Sequence, residues 1–248
     1  MNIVIFDTET TSINKPFCYN VGYCIANVET GETLLERDFV VEQIWHNLPL
    51  FSTAYYAEKR PIYVNAMRRH ETVMDKWGYI MQTMRRDFAK YEVVGAYAYN
   101  SPFDDGVFEM NCDWFKTNNP FEKIPLFDIR GYAHQFIVNA DYLNFCDEHG
   151  FYTDAGNYST TAENVYRYMT DIEFVEDHTA LSDSRIEKDI LFECFKRGAE
   201  VNTEYEVKRS IERRVTKTLQ LIDTEKKSHY FDYERMTISK DKTKITLR

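Results

Sequence analysis

Asp7 and Glu9 stand one residue apart at the end of the apolar run Ile3-Val4-Ile5-Phe6. That run has the β-branched and aromatic make-up of a short buried strand. Side chains alternate between faces along a strand, so the two carboxylates project to the same side. Two like charges at the mouth of a core repel each other unless a cation lies between them. Hard carboxylate oxygens favour magnesium or manganese in that place. Taken alone, an Asp-x-Glu pair after a strand more often marks a solvated turn, so the rest of the chain decides its weight.

Two further clusters bear on it. Asn100-Ser101-Pro102-Phe103-Asp104 reads as the junction of a buried strand with a helix. Asn100 and Pro102 make the turn, Phe103 anchors the helix in the core, and Asp104 falls in its first turn. The bland alternative makes Asp104 or Asp105 a charge favoured by the helix dipole. The third cluster, His178-Thr179-Ala180-Leu181-Ser182-Asp183, opens a later helix. On one continuous helix His178 and Asp183 would be turned about 140° apart. They can act together only if His178 lies in a loop and Asp183 in the helix. Otherwise His178 is a surface residue and Asp183 a capping charge.

In this order, the set Asp7, Glu9, Asp104, His178 and Asp183 resembles the DEDD exonuclease superfamily, in its histidine-bearing DEDDh (DnaQ-like) branch. Asp7-Thr8-Glu9-Thr10-Thr11 matches the first family motif, Asn100-x-x-Phe103-Asp104 the second and His178-x-Ala180-x-x-Asp183 the third. Leu126-Phe127-Asp128 falls where that family has an Asp-bearing strand. Ser12 replaces a usual Gly and Tyr99 a common His, departures expected to alter packing and substrate fit, not chemistry. The resemblance covers roughly residues 1–198, and the compact size and aromatic, Asn-rich composition suit a stand-alone nuclease of phage type. The resemblance implies a ribonuclease H-like fold and a metal-dependent 3′–5′ exonuclease releasing nucleoside 5′-monophosphates. The expected substrate is a nucleic-acid 3′ end, single-stranded DNA first, with an exoribonuclease or a non-catalytic nucleic-acid-binding or polymerase-associated subunit as alternatives. It further implies two Mg2+ (or Mn2+) held by Asp7, Glu9, Asp104 and Asp183, with His178 as general base. Thr10, Thr11, Asn100 and Phe103 would line the substrate, and a polymerase or a second copy remains open as a partner.

The elements that must position these residues are legible in outline. Asn20–Val28 and Thr33–Val41 flank Glu29-Thr30-Gly31-Glu32 and read as a hairpin, so the first three strands form an antiparallel meander. Residues 42–72 are broken by Pro49 and Pro61 into short helices, and Tyr55, Tyr56 and Tyr63 there could stack on bases or simply pack. Val73 to Tyr91 reads as a helix with Trp77, Ile80, Met81, Met84 and Phe88 on one stripe. Glu92–Tyr97 is a buried strand, Phe103–Phe115 a helix and Leu126–Asp128 a short strand. Helices follow over Ile129–Val138, Ala140–His149, Thr160–Met169 and Ser182–Lys196. The expected fold is α/β, a mixed five-stranded sheet flanked by helices.

Residues 199–248 read as a basic appendage. Val207, Ile211, Val215, Leu219 and Ile222 form the apolar stripe of a helix expected to pack on the main domain, and Met236–Ser239 pairs with Ile245–Leu247 in a hairpin. The chain carries a formal net charge of −10, which by itself argues against nucleic acid. Residues 205–248, however, hold twelve Lys/Arg against seven Asp/Glu, leaving −15 on residues 1–204. Such asymmetry suits a tail that touches an anionic partner. No apolar run is long enough to cross a bilayer or serve as a signal peptide. The five scattered cysteines never form a C-x-x-C pair, which predicts free thiols and a cytoplasmic location.

Overall fold

Along β1 (Asn2–Thr10) the apolar side chains divide between two hydrophobic layers. Val4 and Phe6 enter one and Ile3 and Ile5 the other, as alternation along a strand requires. A strand buried on both faces belongs in the middle of a sheet covered by helices on each side. In the computed structural model, which describes residues 1–173 and 178–201 and the strand backbones 236–238 and 245–247, that is where it lies.

β1 pairs antiparallel with β2 (Cys18–Asn27), which pairs antiparallel with β3 (Thr33–Val41). The meander is therefore as expected. Its second turn is tied by Asn27, whose Oδ1 accepts the N–H groups of Glu29 and Thr30, and by Gly31 at φ +73°. On its other edge β1 pairs in parallel with β5 (Val93–Ala98), and β5 with β6 (Leu126–Asp128). The sheet has one strand more than anticipated. Val73–Asp75 forms β4, parallel to β3, and the order is β4-β3-β2-β1-β5-β6. The helix expected over Val73–Tyr91 starts only at Trp77; its apolar stripe begins there, and the residues before it complete a sheet edge.

Residues 42–72 fold as α1 (Glu42–Trp45), α2 (Leu48–Phe51), a 3-10 turn at Ala57–Lys59 and α3 (Arg60–Arg68). With α4 (Trp77–Lys90) and α5 (Ser101–Phe115) they cover the Val4–Phe6 face, around Trp77, Phe108 and Phe121. α6 (Ile129–Ile137), α7 (Ala140–His149), α8 (Ala162–Thr170) and α9 (Ala180–Lys196) cover the Ile3–Ile5 face. All five cysteines are free and buried. No helix among the described residues is long and apolar enough to cross a membrane.

Two units are distinguishable, the larger taking in Met1–Ser12 and Pro16–Val207 and the smaller the C-terminal strands. Those strands, β7 (Met236–Ile238) and β8 (Ile245–Leu247), pair antiparallel as the expected hairpin. The amphipathic helix expected over 207–222 lies outside the described residues.

Candidate active site

Three segments distant in sequence converge at the carboxyl end of β1. Its alternation carries Asp7 toward the face occupied by α9. Thr8, pointing to the opposite face, donates a hydrogen bond from Oγ1 to Oδ1 of Asp104 at 2.6 Å. Asp104 reaches this place from the first turn of α5, which begins after a sharp reversal at Asn100 in the left-handed conformation (φ +62°). Asn is among the few residues that tolerate that conformation. The reversal is held from outside by Asp128, whose Oδ1 accepts the N–H of Asn100 at 2.9 Å and that of Arg130 at 3.0 Å. The Asp-bearing strand thus braces the turn that delivers Asp104.

The third segment is docked by β2. Across the β1–β2 ladder Asp7 faces Gly22 and Glu9 faces Asn20. Gly22 carries the start of α9 directly on its Cα; an added β-carbon would lie 2.0 Å from the backbone nitrogen of Leu181. Ser184 Oγ donates to the Gly22 carbonyl at 3.1 Å, and the fully buried Asn20 accepts the Ala180 N–H at 2.8 Å. Thr179, the residue before α9, makes no side-chain cap, so Asn20 performs that task from another strand. His178 lies outside the helix, at φ +54°, while Asp183 sits in its first turn. The pair therefore escapes the helical separation that would have turned the two side chains apart. Ligand atoms of Glu9, His178 and Asp183 all lie within 4.8 Å of one another.

Electrostatics bind the remaining members into the same cluster. Burial pushes the Asp7 carboxyl up to about 7, opposed by a hydrogen bond from the Thr8 backbone. Asp104 is also pushed well above the usual carboxylate range, by burial first and then by the charge of Asp7, against the hydrogen bond from Thr8. Glu187, which the sequence reading overlooked, is driven the same way by burial and then by Asp7, Asp104 and Asp183. It lies one helical turn beyond Asp183, only 3% exposed, and its Oε2 accepts the Tyr99 N–H at 3.2 Å. That four-residue spacing was the signal for it. Gly22, in the interior of a β-rich run, likewise signalled a close backbone approach. Asn20 and Ser184 carried no comparable mark.

The motif neighbours are placed unevenly. Thr10 Oγ1 donates weakly to the Ser12 carbonyl, at 3.4 Å. Thr11 is buried, with its N–H bonded to Phe17. Asn100 is exposed, and Phe103 packs partly into the Val4–Phe6 core as an anchor of α5. Tyr99, at the position of an expected His, is tied to the Thr160 carbonyl by its hydroxyl at 2.7 Å. Of the three tyrosines in 42–72, Tyr63 is buried, Tyr56 stacks on His178, and Tyr55 is exposed.

A divalent cation fits this donor set. Burial raises Asp7, Asp104 and Glu187, and the charge of Asp7 raises the latter two further, penalties on the charged forms that bound positive charge would relieve. Their carboxylate oxygens, with those of Glu9 and Asp183, are the hard ligands that Mg2+ and Mn2+ prefer.

No family model matches the chain, and no curated protein resembles it significantly. Solved structures do. The crystallographic nuclease domain of 3′hExo, a DEDDh family member bound to rAMP, superposes with a TM-score of 0.59 at 13% identity, covering 84% of this chain and 97% of that one. A full-length 3′-exonuclease superposes with a TM-score of 0.58, also at 13% identity, covering 85% and 91% of the two chains. The six-stranded mixed sheet and flanking helices of the described residues therefore form a fold similar to that of the DEDDh nuclease domain and of the 3′-exonuclease.

Proposed function

We propose that this protein is a metal-dependent 3′–5′ exonuclease, releasing nucleoside 5′-monophosphates from the 3′ ends of nucleic acid, single-stranded DNA foremost. The observation that carries this reading is the convergence of Asp7, Glu9, Asp104, His178 and Asp183 on one end of β1. They come from three separate segments, on a fold shared with 3′-exonucleases.

Asp7, Glu9, Asp104 and Asp183 would hold two Mg2+ or Mn2+ ions. When bound, such ions lower the pKa of an attacking water and offset the charge of the phosphodiester. The chain itself supplies the rest. Thr8 and Asp128 fix the carboxylate of Asp104 in direction. Asn20, Gly22 and Ser184 seat the start of α9, so that Asp183 and His178 face Glu9. His178 takes the proton of the attacking water on an imidazole nitrogen, the role of a general base. Thr10 and Asn100 offer hydrogen-bonding groups at the rim for the terminal nucleotide. The basic stretch 205–248, which we treat as an appendage to a nuclease domain spanning 1–198, supplies long-range attraction that the acidic remainder lacks.

An exoribonuclease is the second reading, favoured by the ribonucleotide bound to one of the structural neighbours. Matched DNA and RNA oligonucleotides, labelled at either end and incubated with manganese or with EDTA, decide between them. Metal-dependent shortening from the 3′ end is expected, faster on DNA. Faster shortening of RNA selects the second reading, and no shortening of either overturns both.

A further inference from the structure

The start of α9 does not by itself orient His178. The residue precedes the helix, in a left-handed backbone conformation that is uncommon for a residue with a side chain. Segment 42–72, which belongs to none of the three motifs, reaches His178 at two points. The ring of Tyr56 stacks on the imidazole, with centroids 4.1 Å apart and planes 13° from parallel. The hydroxyl of Tyr63 donates to the His178 carbonyl at 3.2 Å.

Both tyrosines are themselves braced. Tyr63 is only 1% exposed and meets Tyr19 and Trp45 edge-on, each with centroids 5.9 Å away. The guanidinium of Arg60 lies 3.9 Å from the ring centre of Trp45 and donates to the Trp45 carbonyl at 3.1 Å. The ammonium of Lys59 sits 4.9 Å from the ring centre of Tyr56. Tyr55 meets Tyr56 edge-on at 4.8 Å and is 84% exposed. A tyrosine held in this way has one ring face committed to the imidazole.

We propose that Tyr56 is a positioning residue for the exonuclease chemistry, holding the imidazole of His178 in the direction from which it takes the proton of the attacking water. This rests on the nuclease reading above. Tyr63 sets the backbone of the histidine and Tyr56 sets its ring. Segment 42–72 is then part of the catalytic apparatus without touching the substrate through Tyr56. Misplacing a reacting group by about 1 Å lowers rates by about two decades, so loss of the stack is expected to lower kcat about 10- to 100-fold.

The test uses Tyr56→Leu and Tyr56→Phe in the full chain, each in the wild-type and His178→Ala backgrounds. Initial rates of nucleotide release from a 3′-labelled oligonucleotide with manganese give kcat and KM. Tyr56→Leu is expected to lower kcat with KM little changed and with the manganese-induced rise in melting temperature retained. Tyr56→Phe keeps the ring and should rescue the rate. In the His178→Ala background, Tyr56→Leu should have no further effect, because the group it positions is gone. An unchanged kcat for Tyr56→Leu overturns the proposal. So does an effect that persists without His178, which would mean that Tyr56 grips the nucleic acid, or a Phe variant as slow as Leu. A second readout needs no activity: in metal-free protein the ring protons of His178 should show an upfield ring-current shift in the NMR spectrum, kept in Tyr56→Phe and lost in Tyr56→Leu. Its absence from the wild type removes the stack whatever the kinetics. Wild-type protein that shows the shift yet degrades no nucleic acid sinks the nuclease reading and, with it, the role given to Tyr56.

Discussion

Gly22→Ala tests how the site is assembled, because it adds one methyl group to a strand and touches no candidate ligand. The new β-carbon would lie 2.0 Å from the Leu181 nitrogen and 2.2 Å from the Ala180 carbonyl carbon. Ordinary contact begins near 3.4 Å, so the first turn of α9 must retreat by about 1.4 Å. The obstructing atoms are backbone and cannot rotate aside. Retreat stretches the Ser184–Gly22 and Asn20–Ala180 hydrogen bonds and carries Asp183 and His178 away from Glu9. Overpacking costs about 1–3 kcal/mol and each weakened buried hydrogen bond roughly 1 kcal/mol more. For a domain of this size, at about 2–4 °C per kcal/mol, the melting temperature should fall by roughly 6–20 °C. Nucleotide release, measured well below the new melting temperature, should drop by about two decades or more. A variant that melts and cleaves like the wild type would mean that α9 is not seated on β2 at Gly22, and the account of how Asp183 and His178 arrive would fail.

Four other outcomes follow from the same geometry. Saturating manganese should raise the melting temperature by roughly 5–10 °C, and Asp7→Asn should remove most of that gain; calorimetry with and without EDTA checks both. His178→Ala should keep the metal-induced stabilisation and the binding of DNA ends but turn over about two to four decades more slowly, so near-normal turnover removes His178 from the mechanism. In EDTA, Asp7 titrates near 7 when folded and in the ordinary carboxylate range when unfolded. The folded state then binds more protons between those values, so stability should decline as pH rises from about 4 to about 7, and manganese should abolish the decline; a flat profile in EDTA would contradict the burial of the Asp7 carboxyl. Glu187→Gln replaces a carboxyl whose ionised form burial and the charges of Asp7, Asp104 and Asp183 disfavour, while keeping an acceptor for the Tyr99 N–H, so it should raise the melting temperature in EDTA. A lower value would show that Glu187 is stabilising as an anion.

Much of the sheet and most of the helices were readable from periodicity, because burial on one or both faces imposes a repeat on neighbouring residues. The meander, β5, β6 and the helices from α5 onward fall within a few residues of expectation. β4 escaped because three residues are too few for a repeat, and the apolar stripe of α4 follows immediately. The candidate ligands were legible for a different reason. Each lies at the end of a strand or the start of a helix, where a local turn signal and a charged residue coincide, and the order of the motifs did the rest.

What the chain determined by itself is therefore local: which residues form β1, where α5 and α9 begin, and that His178 stands outside the helix carrying Asp183. What tertiary structure alone decided is how those ends meet. The buried Asn20 caps a helix that starts 160 residues later. Gly22 lets that helix rest on the sheet, Asp128 braces the turn before Asp104, and Tyr56 stacks on His178 from a segment with no motif of its own. Such contacts join residues whose neighbours in sequence are unremarkable, and no repeat along the chain encodes them. They exist only because burying both faces of β1 forces the helices onto the sheet, and with them the groups that must lie within a few ångströms of Asp7 and Glu9.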